Sequence, residues 1–394
     1  MPLAIDDPAP TFSWRLEAEG ARGAKAACTL AVKPAAPGGE LEEVLSAPSN
    51  ATQFVPLPAG LTLKTDTEYS WTVTCGAASA TSSFSTGLLE PSDWGGADWI
   101  GGSEKAAVLM RKKLTIEGAV TRARIFVAVP GYGQVSVNGV DVDGVAGTRT
   151  WSQYDVRTLY HTYDVTKELK AGANVLGLHI GEGWYGMWGY GNPTAKAVLR
   201  YTAGGKTTTV VTDGTWSAGE SPVLMDSEYN GVTYDARNET KGWDTAACTS
   251  CASWPAVTTG AAAAPKIGNT TLSSASFAQV DVMHEFTAKW MREPSPGVYI
   301  FDFTQNIAGW VKLTITGDAG TTVTLRHAEA LMHPPYGPRD GNIYVGNLRG
   351  AKATDTYILK GDPEGETFQP VFTQHGFRYV EMRISGTDDP TPPR

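Results

Sequence analysis

Along most of the chain, short runs of alternating apolar and polar residues are broken by glycine, proline or asparagine. Successive side chains of a strand point to opposite faces, so this period of two predicts half-buried strands joined by tight turns. Residues 11–16, the stretch around Cys28, and residues 53–57, 69–75 and 82–86 form a first set. Tyr69, Trp71 and Val73 fall on one face of their strand, as the core of a small sandwich requires. A second set covers residues 122–129, 133–139, 160–166, 174–181, 197–202, 207–212 and 222–229. Asn138-Gly139 predicts a hairpin turn, because both residues tolerate positive φ. Asp164 and Gly172 can start and stop a single helical turn at 167–170. A third set, at 297–303, 310–317, 321–329, 353–360 and 377–384, shows sustained alternation.

The breaks place the boundaries. Residues 90–102, with Trp94 and Trp99 among glycines, read as a linker whose tryptophans join two domains, and the alanine-rich residues 258–265 as a linker or surface loop. Residues 387–394 read as a linker-like tail. The expected fold is all-β, with three consecutive β-sandwich domains: an immunoglobulin- or fibronectin-like one at 1–89, a jelly-roll at 90–276 and a third sandwich at 277–386. Composition agrees, since 44 glycines and 24 prolines in 394 residues would interrupt long helices.

The net charge of -9, from 32 Lys+Arg against 41 Asp+Glu with no basic cluster, disfavours nucleic acid and anionic membranes as partners. With 41% hydrophobic and 19% charged residues, and no apolar run long enough to span a bilayer, a soluble globular protein is expected. No secretory signal is recognisable, so the compartment stays open and the sequons at Asn50, Asn238 and Asn269 carry little weight. Cys28 begins its strand and Cys75 ends its own. A bridge between the second and sixth strands of an immunoglobulin-like sandwich, which run in the same direction, is therefore not expected. Cys248 and Cys251 lack the further ligands zinc needs and read as a loop pair, free or bridged.

Longer motifs carry a family likeness. They are Pro-Leu-Ala-Ile-Asp-Asp-Pro-Ala-Pro-Thr-Phe-Ser-Trp-Arg-Leu (2–16), Tyr-Asp-Val-Thr-Lys-Glu-Leu-Lys-Ala-Gly-Ala-Asn-Val-Leu-Gly (163–177), Gly-Glu-Gly-Trp-Tyr (181–185) and Tyr-Asn-Gly-Val-Thr-Tyr-Asp-Ala-Arg (229–237). The series continues with Asp-Phe-Thr-Gln-Asn-Ile-Ala-Gly-Trp-Val (302–311), Leu-Arg-His-Ala-Glu (325–329), residues 347–357 and His-Gly-Phe-Arg-Tyr-Val-Glu (375–381). In this order they resemble the N-terminal half of bacterial-type α-L-rhamnosidases, glycoside hydrolases that remove terminal α-L-rhamnose. The resemblance implies a fibronectin-like module, a jelly-roll N-terminal domain and a concanavalin-like domain. In the family a helical (α/α)6 barrel follows, holding the catalytic acid and base and generally acting with inversion. Nothing in this sequence supplies that barrel, so the resemblance implies a scaffold and carbohydrate-binding region, and no catalytic residue is assigned. Two departures stand out: Thr304, where the family usually has glycine before the Gln-Asn pair, and the proline-rich stretch 332–342.

Glycoside hydrolysis by the usual route needs two carboxyls about 5–9.5 Å apart. Glu182, Asp226, Glu228, Asp235, Glu239, Asp302 and Glu329 are available, but a dyad in sandwich loops is not expected. Sugar recognition needs aromatic faces beside polar groups. Residues 181–192 offer Trp184, Tyr185, Trp188 and Tyr190 between glycines, in what reads as an exposed loop. Residues 229–237 add Asn230, Tyr234, Asp235 and Arg237. In some family members the jelly-roll domain binds rhamnose through calcium. The resemblance makes Glu182 and Asn230 the candidate ligands here, although calcium wants six to eight oxygens and Gly183 adds none from a side chain. The competing reading has Trp184, Tyr185 and the pair Asp235 and Arg237 locking two sheets together. Gln305, Asn306 and Trp310 read as turn-stabilising or groove-lining residues, and His327 and His375, with no metal spacing between them, as hydrogen-bonded structural histidines.

The first expectation is therefore the N-terminal β-sandwich portion of an α-L-rhamnosidase, engaging L-rhamnose-containing glycans or glycosides beside a catalytic barrel domain. The alternatives are a free-standing carbohydrate-binding protein and a structural multi-sandwich protein with no ligand.

Overall fold

The computed structural model describes residues 3–16, 27–35, 45–49, 51–102, 106–144, 147–275, 277 and 280–386. Asn50 and the tail 387–394 lie outside the described residues. The chain divides into two compact units, residues 1–96 with 160–162 and 272–277, and the remainder.

In the first unit the strands Leu45–Ser49, Cys28–Pro34, Glu68–Cys75 and Ala78–Ser85 form one antiparallel sheet in that order. Thr11–Phe12 pairs with Val55–Pro56, and Phe12, Leu30, Val32, Val55, Leu63, Tyr69 and Phe84 make the core. The expectation for Cys28 and Cys75 is overturned: they are bridged, with Cα atoms 4.2 Å apart. Their strands are antiparallel neighbours within one sheet, so the start of one lies beside the end of the other and the two cysteines are direct register partners. The objection applied to a bridge between sheets, which this is not.

The second unit opens with a sandwich. One sheet runs Val140–Asp141, Tyr132–Val137, Gly172–Gly181, Ala107–Ile116, Ser217–Glu220. The facing sheet is built on Val120–Ala128 and Thr194–Ala203. Met110, Val135, Leu176, Leu178 and Ile180 of the first sheet meet Ile125, Val127, Ala197 and Leu199 of the second in one core. The alternate residues of the first sheet, among them Gln134, Ser136, Gly177 and His179, therefore point away from that core. Asn138 and Gly139 form the predicted hairpin, with φ of 55° and 84°. The expected helical turn is a single i→i−4 bond, from the Leu169 N–H to the Val165 carbonyl at 3.3 Å, and goes no further. Asn174 takes the Lys170 N–H at 3.0 Å and returns its amide to the carbonyls of Lys170 and Gly172, competing with helical pairing.

A further sheet follows the order Val223–Ser227, Gly231–Asp235, Thr354–Ile358, Thr322–Ala328, His375–Ser385, Val298–Gly309, Trp290–Ser295. The sequence pattern assigns residues 222–229 to the jelly-roll; their hydrogen bonds put them here, with Gly231–Asp235 parallel to Thr354–Ile358. Alternation identifies a strand and its faces but not its partner. The ribbon of Leu313–Ile315 and Glu366–Phe368 packs on this sheet around Val232, Val323, Tyr357, Phe377 and Met382. Residues 258–265 are a surface segment tied to the sandwich and not a free linker: Thr258, Ala261, Ala262 and Pro265 are exposed, but Thr258–Thr259 pairs with Ile100–Gly101 and Ala263 and Ala264 are buried. Among the described residues no helix is long and apolar enough to cross a membrane.

Candidate functional site

The strand Gly172–Gly181 turns at once into the short helix Gly183–Met187. Two contacts force that turn. Asp226, buried on Val223–Ser227, accepts the backbone N–H of Glu182 at 2.9 Å and of Gly183 at 3.4 Å through Oδ2. Gly183 adopts φ 49° so close to the neighbouring backbone that a Cβ would lie 3.0 Å from the Tyr132 nitrogen.

The helix then sends its tryptophans outward. Trp184 stacks on Trp188 with ring centroids 6.3 Å apart and on Trp151 at 5.8 Å, and Tyr229 meets it edge-on at 5.4 Å. Trp151 is 70% exposed, Trp188 62% and Tyr229 53%. Leaving such rings in water forgoes roughly 1.5–3 kcal/mol of burial apiece, which makes this cluster the candidate interaction surface. Beside it opens a cavity of about 670 Å³ lined by Trp151, Gln153, Trp188, Tyr190 and Lys266. Aromatic faces next to an amide, a phenol and an ammonium can stack on one side of a sugar and bond its hydroxyls.

The remaining candidates are engaged elsewhere. Tyr185 is buried, edge-on to Tyr154 at 5.5 Å, so it presents no face to a ligand; one helical step separates it from Trp184 and turns it inward. Tyr234 packs its ring on Tyr357 and Phe368 and donates its hydroxyl to Glu239 at 3.0 Å. Asp235 grips Arg237 through two bonds of 2.9 and 2.8 Å, which hold its carboxyl below the usual range. Asn230 is a turn residue: its Oδ1 accepts the Lys352 N–H at 3.3 Å and its carbonyl the Thr354 N–H at 3.0 Å.

Around Glu182, Asp226 Oδ1 is buried with no hydrogen-bond partner among the described residues, while Asp226 Oδ2 and Asn230 Oδ1 are already committed. That donor set falls short of the six to eight oxygens of a calcium site. Burial and the neighbouring Glu182 push the Asp226 carboxyl up to about 8, and burial pushes Glu182 up as well. The other carboxylates have partners: Glu228 accepts from Tyr132 at 2.5 Å, Glu239 from Lys360 at 2.8 Å, Asp302 from Arg378 at 2.8 and 3.0 Å, and Glu329 from Asn306 and Asn347 at 2.9 Å. Gln305 is exposed, and Trp310 lies under the Arg149 guanidinium at 5.4 Å.

His327 and His375, unlinked in sequence, stack at 4.1 Å and with Asp355 bring ligand atoms within 4.8 Å of one another. Both Nε2 atoms face the Asp355 carboxylate, His375 at 3.0 Å from Oδ1 and His327 at 3.9 Å from Oδ2, while His327 Nδ1 lies 3.1 Å from the Ala353 carbonyl. Trp151 and Tyr229 were not singled out from sequence. Trp151 sits far from the Trp184 segment in the chain, and its only signal is a large indole in the polar run Thr150 to Gln153.

Three family models match the chain in order: the Rha78A-like N-terminal immunoglobulin domain over residues 1–90, the alpha-L-rhamnosidase N-terminal domain over 118–274, and the bacterial alpha-L-rhamnosidase concanavalin-like domain over 292–392. An alpha-L-rhamnosidase of Streptomyces avermitilis is 39% identical over 73% of this chain and 28% of its own length, and one of Formosa agariphila 29% identical over 97% and 44%. Among solved structures, the alpha-L-rhamnosidase from Dictyoglumus thermophilum is similar with a TM-score of 0.84 and 27% identity, covering 97% of this chain and 45% of that one. The Streptomyces avermitilis alpha-L-rhamnosidase complexed with L-rhamnose gives a TM-score of 0.72 and 25% identity over 97% and 54%. The chain spans less than half the length of these curated relatives.

Proposed function

The chain belongs to the bacterial alpha-L-rhamnosidase family, whose N-terminal β-domains it carries, and on that premise we propose that it holds rhamnose-containing glycans on the aromatic face of Trp151, Trp184, Trp188 and Tyr229. The observation that carries this reading is the pair of outward tryptophans, Trp151 and Trp188, flanking one open cavity. The C–H face and methyl group of a 6-deoxy sugar lie on the indoles, while Gln153, Tyr190 and Lys266 meet its hydroxyls. Hydrolysis of terminal α-L-rhamnose falls, in this reading, to the helical barrel domain of the family, with these domains as its scaffold and glycan-holding region.

Calorimetric titration with L-rhamnose, in calcium and again in chelator, tests the proposal. Saturable heat in both buffers, weakened roughly tenfold by Trp188→Ala, is the expected result. No heat in either buffer overturns it. Heat confined to calcium buffer moves the site to Glu182 and Asn230 and overturns the aromatic platform as the primary contact.

A further inference from the structure

The outer face of the jelly-roll sheet holds a second cavity, of about 290 Å³, lined by Gln134, Ser136, Asp141, Tyr234, Trp243 and Asp244 among others. Ser136 is 2% exposed, yet its Oγ has no hydrogen-bond partner among the described residues. A buried hydroxyl left unpaired is costly, and one that borders a cavity is positioned to be satisfied by whatever enters it.

The register supplies the second observation. Gly177 is the direct partner of Ser136, and a Cβ there would come 2.3 Å from Ser136 Oγ and 2.9 Å from Asp244 Cβ and Trp243 Cη2. Glycine inside a strand weakens it and marks a close approach. Here it lets Trp243 and Asp244 come down onto the sheet beside the unpaired hydroxyl.

That covering segment is also fixed in place. Arg111 donates to the Thr245 carbonyl at 2.7 Å, Cys251 is bridged to Cys248, and the rings of Trp243 and Trp254 stack at 6.4 Å. A site held this rigidly loses little freedom on binding. Its groups are an indole, a phenol ring, an amide, two hydroxyls, an imidazole, one ammonium and three carboxyls. Three carboxyls, Asp141, Glu239 and Asp244, against the single ammonium of Lys241 disfavour an anion, and the small volume admits one ring, not a chain.

We propose that this cavity is a second carbohydrate subsite, taking one neutral pyranose ring whose hydroxyls bond Ser136, Gln134, Asp141 and Asp244 and whose C–H face lies on Trp243. It shares no residue with the cavity between Trp151 and Trp188.

The test follows the Trp243 indole N–H in 1H–15N spectra, identified by its loss in Trp243→Phe, during titration with L-rhamnose, D-glucose and D-galactose. At least one sugar should shift it saturably. Ser136→Ala should weaken that titration roughly five- to tenfold, and Trp188→Ala should leave it unchanged. An indole signal unmoved by all three sugars overturns the proposal, as does wild-type affinity in Ser136→Ala. Loss of the shift in Trp188→Ala overturns it too, by reducing two sites to one. Should Ser136→Ala fail to fold, Asp244→Asn carries the same expectation and the same refutation.

Discussion

Asp226 lies beneath the Glu182 turn, its Oδ2 accepting the Glu182 N–H at 2.9 Å and its Oδ1 without a hydrogen-bond partner among the described residues. A carboxyl of one sheet thus sets the direction in which the Trp184 helix leaves another. With its carboxyl pushed up to about 8, Asp226 is largely protonated at neutral pH, so an amide is a close substitute. Asp226→Ala should cost about 2–3 kcal/mol by stranding two buried N–H groups, and Asp226→Asn clearly less. Urea denaturation at pH 7 measures both; equal losses would contradict this role.

Buried groups predict a stability optimum. Asp143 and Asp226 sit near 8 through burial, far above the value of roughly 3.9 for an unfolded Asp. The folded state holds their protons in that window, so their contribution is lost as pH rises toward 8. Burial depresses His161 and His327 to about 4 and His179 to about 3, below an unfolded value near 6.5. Their contribution grows as pH rises to about 6.5 and is constant above it. Scanning calorimetry should show a Tm maximum near pH 6.5 (roughly) and a decline toward pH 8 that is shallower in Asp226→Asn. A Tm that climbs from pH 6.5 to 8 would contradict the assignment.

Thr304 stands at φ 67° in a bulge where the register jumps from Asp302 opposite Tyr379 to Ile307 opposite Phe377. The sequence resemblance expects glycine there, and the backbone explains why: a β-branched residue is strained in the left-handed region. Relief of that strain outweighs the added freedom of the unfolded chain, so Thr304→Gly should stabilise the protein by roughly 0.5–1 kcal/mol. A lower urea midpoint for the glycine variant would refute it.

The bridge between Cys28 and Cys75 closes a long loop in the first unit. Replacing both cysteines with serine should cost on the order of 3–4 kcal/mol, seen as a lower calorimetric Tm. An unchanged Tm would mean that the bridge does not constrain the unfolded chain.

Period-two alternation makes the strands around Val135 and Leu178 legible from sequence, and Asn138-Gly139 names its own turn. Partners are less legible. Thr233 pairs with Thr356 and Cys28 with Cys75 through registers that depend on residues distant in the chain. The aromatic site is half legible for the same reason. Trp184 and Trp188 announce themselves between glycines, but the inward turn of Tyr185 and the arrival of Trp151 and Tyr229 are products of folding. Ser136 is hidden altogether, because in an alternating strand it reads as an ordinary outward polar residue until Trp243 and Asp244 cover it.

The central claim, that the outward tryptophans hold rhamnose-containing glycans, is tested most directly by titrating methyl α-L-rhamnoside into the chain and into its Trp151→Ala/Trp188→Ala double variant. Both indoles are largely exposed, so the variant should keep its Tm. The account predicts saturable heat in the parent chain and none in the variant. Equal heat in both, or none in the parent, would contradict it.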